Sequence, residues 1–123
     1  MRKTLILCAA FAAALHSSAG AMDVATYLAK GQALRAKGPF AVLSSDYKEL
    51  QAEVITSAAS LKTERLTAVR QGRRPSYCPP AKVSLAPEEI FAAMEAVPVA
   101  QRARTSVKEA LRAAFARKYP CSG

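Results

Sequence analysis

The first twenty-one residues constrain the fold most, because they predict a domain that is exported and therefore folds in an oxidising compartment. A basic start at residues 1–3 leads into an apolar run at residues 5–15, followed by Ala-Gly-Ala at residues 19–21. This order is typical of a cleavable secretory signal peptide. The apolar run is much shorter than the ~20 residues that span a bilayer, so we expect no retained transmembrane anchor.

Cleavage after Ala21 would leave residues 22–123 as a single domain, which we expect to be periplasmic. The leader takes with it Cys8 and the only histidine, His16. The net charge of +9 falls to +7, because the leader carries two of the 18 basic residues. A chain of about one hundred residues buries only a modest core, so a covalent cross-link would add noticeably to its stability.

Cys78 and Cys121 are the two cysteines that remain after cleavage, and they favour a disulfide. Closing the intervening loop gives an upper estimate of about 4 kcal/mol from chain entropy. Two buried free thiols are the first alternative, which exported chains rarely keep. A zinc site is the second, and two thiolates without histidine leave its ligand shell half empty. We therefore predict the disulfide, with no bound metal and no cofactor.

The spacing of apolar residues predicts an all-α domain, because they recur every three to four positions and no segment alternates as a strand would. Starting and stopping residues divide the chain into four helices, at about residues 24–37, 47–70, 85–97 and 107–118. The predicted disulfide would join the loop before the third helix to the end of the fourth. The expected fold is a small four-helix domain whose C-terminal helical hairpin is closed by this bond.

Capping residues support these helix starts. Asp23 and Ser84 are expected to cap the first and third helices, while Gly38-Pro39, Gly72 and Pro98 end the first three. The run Ser44-Ser45-Asp46 is expected to open the second helix. Capping-box spacing occurs at the second and fourth helices, in the pairs Asp46 with Glu49 and Ser106 with Glu109. Residues 99–104 are expected to form a basic turn.

Several apolar residues outside the clearest helical stripes are also assigned to the core. The connector at residues 40–43 is expected to tuck over the core, and Leu66 and Val69 to widen the buried face of the second helix. Tyr27 and Tyr47 fall on apolar stripes and are expected to be buried with the hydroxyl at the edge. Tyr77 is expected to pack on the disulfide and the neighbouring prolines.

Short motifs in residues 75–121 resemble a known family. They are Cys78-Pro79-Pro80, Val83-Ser84-Leu85, Ala110-Leu111 and Tyr119-Pro120-Cys121. In order and spacing they resemble the Rap/Tai family of immunity proteins, which protect bacteria against peptidoglycan-degrading effectors delivered by type VI secretion. The resemblance implies a small exported helical protein that binds and blocks a cell-wall-degrading effector.

The residue inventory argues against catalysis. Residues 22–123 contain no histidine, and with both cysteines bonded neither a Ser-His nor a Cys-His nucleophile can be assembled. Glu88 and Glu89 are adjacent, but they lie in the first turn of a predicted helix, where negative charge complements the helix dipole. We therefore expect no enzyme activity and assign no catalytic residues.

The basic residues are the candidate partner-binding residues. They group at the end of the second helix and around the turn before the fourth: Arg70, Arg73, Arg74, Arg102 and Arg104. One interpretation is a solvated surface. The other is a contact with an acidic partner, for which we expect a protein, possible alternatives being anionic lipid headgroups or cell-wall polymers. Nucleic acid fits poorly, because the chain is exported and carries no nucleic-acid-binding motif.

Two classes of function follow from the sequence. The first is an interaction protein that occludes a partner, most concretely an effector enzyme. The second is a structural or stress-related periplasmic protein, such as a holdase, without a dedicated effector partner. An effector or a secretion component encoded next to this chain would favour the first class.

Overall fold

Helices account for all the regular secondary structure in residues 22–122, which are the residues that the computed structural model describes. The α-helices are α1 (Val24–Ala36), α2 (Ser45–Arg70), α3 (Pro87–Glu95) and α4 (Val107–Lys118). Two 3-10 helices, Gly38–Leu43 and Val99–Arg104, connect them, and the second replaces the predicted basic turn. The all-α prediction is confirmed. The predicted signal peptide at residues 1–21 and its cleavage site lie outside the described residues.

Helix α2 is the longest element, as predicted, and its 26 residues extend about 39 Å. Helix α1 packs on α2 in the antiparallel direction, with Lys30 bound to Asp46 and Glu49. Helix α4 packs on the C-terminal part of α2. Helix α3 packs on α1 and α4 but makes no close backbone contact with α2 within the described residues. The α2 and α3 helices therefore flank α1 without meeting.

The core lies between these helices. Its most deeply buried side chains, each less than 2% exposed, are Val24, Ser57, Leu61, Met94, Val107 and Leu111. Every α-helix contributes at least one of them. Burial of this apolar surface provides the main favourable free energy of folding.

The caps agree with the sequence at α1 and α4. Asp23 accepts a hydrogen bond from the backbone N–H of Thr26 at 2.9 Å, and this bond lowers the pKa of its carboxyl group. Ser106 accepts one from the N–H of Glu109 at 3.1 Å. These side chains satisfy amide groups that have no partner within the helix.

Helix α2 opens at Ser44-Ser45-Asp46 as predicted, but the capping box predicted there was wrong. Ser44, in an extended conformation, caps the helix by accepting a hydrogen bond from the N–H of Tyr47 at 3.2 Å. Asp46 and Glu49 do not form the predicted capping box. Their carboxylates instead bind the ammonium of Lys30 on α1, because the antiparallel packing brings that cation to the first turn of α2.

The predicted start of α3 was also wrong. Ser84 is not its cap, because the helix begins three residues later at Pro87. Proline has no N–H to satisfy and a backbone angle suited to the first helical position, so it sets the start of the helix. The preceding N–H, that of Ala86, donates to the carboxylate of Glu89 at 2.9 Å.

Gly72 ends α2 as predicted. It has φ +70°, a left-handed conformation that glycine adopts without steric cost. The N–H of Gly72 donates to the carbonyl of Val69, and the N–H of Arg73 donates to that of Ala68 at 2.8 Å. This pair of bonds is a Schellman motif, which satisfies the last carbonyl groups of the helix.

Several residues assigned to the core are exposed. In the first 3-10 helix, Phe40 is 73% and Leu43 is 75% exposed, while only Ala41 packs against the core. In a 3-10 helix residues i and i+3 share a face, so Phe40 and Leu43 point the same way, to solvent. Three more predicted core residues are exposed on α2, because they lie off the faces that meet α1 and α4: Tyr47, Leu66 and Val69.

The predicted disulfide between Cys78 and Cys121 is present, with the two Cα atoms 5.0 Å apart. It joins the loop before α3 to the end of α4 and so closes the C-terminal helical hairpin. The N–H of Cys78 donates to the carbonyl of Tyr119 at 2.8 Å. Tyr77 is buried, and its ring stacks on that of Phe115 with the ring centroids 5.0 Å apart.

An ion-pair cluster joins α2 to α4. The carboxylate of Glu64 binds the ammonium of Lys108 and the guanidinium of Arg112, the latter at 2.7 Å. Hydrogen bonds from Lys108 and then from Arg112 lower the pKa of Glu64. The side chain of Glu64 is 46% exposed, so solvent screens these attractions.

We expect Glu64→Gln to reduce the free energy of unfolding by less than about 1 kcal/mol at pH 7. Because the folded-state pKa lies below the ordinary carboxyl value of ~4.3, this contribution is complete above that value and is lost as pH falls through the folded pKa. Urea unfolding of both chains between pH 7 and pH 2 measures it. A difference that persists unchanged at the acid end would contradict the assignment to this ion-pair cluster.

Candidate functional site

An open apolar groove lies where α2 and α3 flank α1 without meeting. Its volume is about 580 Å³. Apolar side chains from all three helices line it, among them Leu34, Leu50, Val54, Ile55, Ile90 and Phe91. A concave, mostly apolar surface of this size is the usual form of a binding site. We call this surface the apolar groove.

The wall formed by α3 depends on a glycine in α1. A Cβ atom added at Gly31 would lie 2.1 Å from the ring of Phe91, so only glycine permits this close approach. The Phe91 ring also contacts the Tyr27 ring, at 5.7 Å between centroids, and lies under the guanidinium of Arg35, at 4.1 Å. These contacts fix Phe91 in the wall, and burial raises the pKa of the Tyr27 hydroxyl.

The first 3-10 helix borders the groove through Gly38 and Ala41. The side chains that it exposes are large and apolar, namely Phe40, Val42 and Leu43. Within the groove, Ile55 is 62% exposed. Single exposed apolar residues are normal, but several beside an apolar groove mark an interaction surface.

The three candidate arginines at the end of α2 are exposed. Arg70 donates to the hydroxyl of Thr67, and Arg73 donates to the side-chain carbonyl of Gln71. Arg74 donates to the backbone carbonyl of Cys121 at 3.0 Å, so this group lies at the disulfide end of the molecule.

The two candidates in the second 3-10 helix differ from each other. Arg102 is half-buried and donates to the carbonyl oxygens of Val97, at 2.8 Å, and of Glu95, at 2.9 Å. It therefore satisfies carbonyl groups at the C-terminal end of α3, a structural role that its position in the sequence did not reveal. Arg104 is exposed.

The structure does not bring the two arginine groups together. One group lies beside the C-terminal end of α4 and the other just before its N-terminal end. The 12 residues of α4 separate them by about 18 Å. The partner-binding candidates therefore form two separate basic surfaces rather than one.

Sequence reasoning missed the apolar groove. The groove arises from the relative placement of three helices, which no local pattern specifies. One available signal was the Gly-Pro pair at residues 38–39, which starts a short tight helix and leaves two apolar residues three positions apart on one face.

No protein family, curated protein or solved structure matched this chain. Across residues 22–122, no helix combines the length and the hydropathy needed to cross a membrane. In the same part of the chain, no three His, Cys, Asp or Glu side chains are grouped as metal ligands would be.

Proposed function

We propose that this chain is a non-enzymatic, exported protein that binds a partner protein and covers its functional surface. The partner is most concretely a cell-wall-degrading effector, as the resemblance of residues 75–121 to the Rap/Tai immunity family implies. The observation that carries the proposal is the apolar groove with its exposed apolar border. Apolar pockets that accept a partner's anchor side chain typically provide most of the affinity of a protein interface.

Export is supported by the disulfide together with the leader-like sequence. A disulfide between Cys78 and Cys121 persists in the periplasm, whereas the cytoplasm would keep both thiols reduced. A peptidoglycan-degrading effector acts in the same compartment. The proposed location therefore places this chain where such an enzyme would have to be blocked.

Charge favours an acidic partner. After removal of the leader the net charge is +7, since two of the charges that make up +9 lie in residues 1–21. The groove lining itself carries one basic residue, Arg35, which lies over the ring of Phe91, and one acidic residue, Glu88. Lys37 and Lys48, which are neighbours of lining residues in the sequence, are exposed. The expected partner surface is an apolar side chain surrounded by carboxylates. Complementary charge of this kind mainly accelerates association, while the apolar contact slows dissociation.

The exposed apolar border of the groove is tested with the double variant Phe40→Ser and Leu43→Ser. Both side chains are more than 70% exposed, so we expect its stability to stay within about 0.5 kcal/mol of the wild type. We expect at least about tenfold weaker binding to a purified peptidoglycan-degrading effector, seen as faster dissociation in biolayer interferometry. The matched control is Leu66→Ser, an exposed leucine of α2 that neither lines the groove nor belongs to the 3-10 helix at its border. Equal loss of binding in the control would reject the groove as the interface.

The basic end of α2 is tested with the double variant Arg73→Glu and Arg74→Glu. Because both residues are exposed, we expect nearly unchanged thermal stability together with slower association and a weaker dependence of association on salt. Association rates measured between 50 and 500 mM salt provide the readout. If this variant loses binding through faster dissociation while the groove variant binds normally, the contact lies at the disulfide end instead.

The second candidate, a periplasmic holdase, draws on the same exposed apolar residues. A holdase binds many unfolded chains and suppresses their aggregation. We propose this function only if the wild type suppresses aggregation of unrelated unfolded proteins, the Phe40→Ser and Leu43→Ser variant does not, and no folded effector binds.

A further inference from the structure

The first described residues are held firmly to the start of α4. Asp23 and Ser106 form an antiparallel bridge. On either side of it, the N–H of Val24 donates to the carbonyl of Thr105 and the N–H of Val107 donates to the carbonyl of Met22, both at 2.9 Å. The backbone of Met22 is therefore fixed in position, at the residue that follows the predicted cleavage site.

The nitrogen of Met22 is held against a buried carboxylate. It donates to the Oε1 atom of Glu53 at 3.2 Å. Glu53 is only 6% exposed and lies on the buried face of α2, between Leu50 and Ser57. A carboxylate in such a place is costly unless charged or strongly polar groups compensate it. In the uncleaved chain, Met22 provides one neutral amide donor.

A second buried polar group lies on the same face of α2. Ser57 is 1% exposed, and within residues 22–122 its hydroxyl oxygen has no hydrogen-bond partner. It follows Glu53 by four residues, which places it one helical turn along the same face. This face of α2 therefore holds two buried polar side chains one helical turn apart, and an unsatisfied buried hydroxyl of this kind is rare in native structures.

We propose that Glu53 is a binding site for the α-ammonium group that processing creates on Met22. A signal peptidase would hydrolyse the Ala21–Met22 bond. The water oxygen adds to the carbonyl carbon of Ala21, the C–N bond breaks, and Met22 leaves as an amine that takes up a proton at neutral pH. One neutral N–H donor is thereby replaced by a cation with three donors, facing Glu53.

This proposal rests on the export that the proposed function assumes. It adds that removal of the leader creates a new contact within the folded domain. Cleavage at this bond would place an ammonium group beside this buried carboxylate and so add a buried ion pair. Processing would then stabilise the folded domain as well as release it. Cleavage at a neighbouring bond would leave an extra residue and move the charge away from Glu53.

The test compares a chain that begins at Met22 with one that begins at Ala21, each with and without Glu53→Gln. Both are released from a removable N-terminal fusion, and both contain every residue of the described core. Glutamine still accepts a bond from an amide but does not neutralise an ammonium group. We expect Glu53→Gln to increase the unfolding equilibrium constant at least about tenfold more in the Met22 chain than in the Ala21 chain. Equal effects in both chains would overturn the proposal.

A second measurement covers the case in which the glutamine variant does not fold. Acetylating the α-amine of the wild-type Met22 chain removes the charge and keeps one N–H. We expect a lower melting temperature after acetylation of the Met22 chain and no change after acetylation of the Ala21 chain. An unchanged melting temperature in the Met22 chain would overturn the ammonium site. Effector binding is measured separately, so loss of this site with intact binding would leave the proposed function standing.

Discussion

Replacing Cys121 with alanine is expected to lower the free energy of unfolding by about 2–5 kcal/mol. The Cys78–Cys121 bond closes a loop with a sequence separation of 43, so its loss restores a large amount of conformational freedom to the unfolded chain. For a small domain this is a large part of the total stability. Urea unfolding followed by far-UV circular dichroism at pH 7 measures the effect.

Two controls separate the covalent bond from the packing around it. The double variant Cys78→Ala and Cys121→Ala removes both thiols, and the reduced wild type keeps both. We expect all three chains to be destabilised to a similar extent, while the stacking of Tyr77 on Phe115 keeps the loop near α4. A reduced wild type as stable as the oxidised protein would show that the bond contributes nothing.

Replacing Leu111 with alanine is expected to have an effect of similar size, about 2–5 kcal/mol. Leu111 lies in α4, is fully buried and belongs to the core cluster that joins the four α-helices. The truncation removes apolar contacts and leaves a cavity that the surrounding helices fill only in part.

The matched control for Leu111→Ala is Leu43→Ala, the same chemical change at a residue that is 75% exposed. We expect this control to change stability by no more than about 0.5 kcal/mol. Both chains are compared with the wild type by urea unfolding. Similar losses in the two variants would contradict the placement of the core.

Features governed by local physics were predictable from the sequence. The caps at Asp23 and Ser106 depend on side chains and amides three residues apart, and the stop at Gly72 depends on one residue's backbone freedom. The disulfide between Cys78 and Cys121 followed from the cysteine count and the expected export of the chain. Each of these inferences needs only neighbouring residues or composition.

Features that depend on how helices pack were not predictable in the same way. Asp46 and Glu49 have the spacing of a cap, but the approach of Lys30 from α1 gives their carboxylates another partner. Arg102 lies in a basic segment of the kind that forms binding surfaces. The fold instead places carbonyl groups at the C-terminal end of α3 within reach of its guanidinium group. The apolar groove likewise exists only because α2 and α3 flank α1 without meeting.

The burial of Glu53 is the clearest example of a feature that depends on helix packing and could not be predicted from the sequence. A glutamate on a long helix rich in charged residues is normally solvated. Only the antiparallel packing of α1 and the bridge to the start of α4 enclose this one beside the nitrogen of Met22. Met22, the residue that follows the predicted cleavage site, thus contacts a buried carboxylate that the sequence alone did not indicate.

The proposed blocking function is tested most directly by measuring peptidoglycan hydrolysis by a purified effector that this chain binds. The oxidised chain beginning at Met22 is titrated into the reaction, beside the variant carrying Phe40→Ser and Leu43→Ser. We predict that hydrolysis falls towards zero as the wild type is added, and that the variant needs at least about tenfold more protein for the same inhibition. Hydrolysis that continues undiminished at saturating wild-type protein would contradict the account.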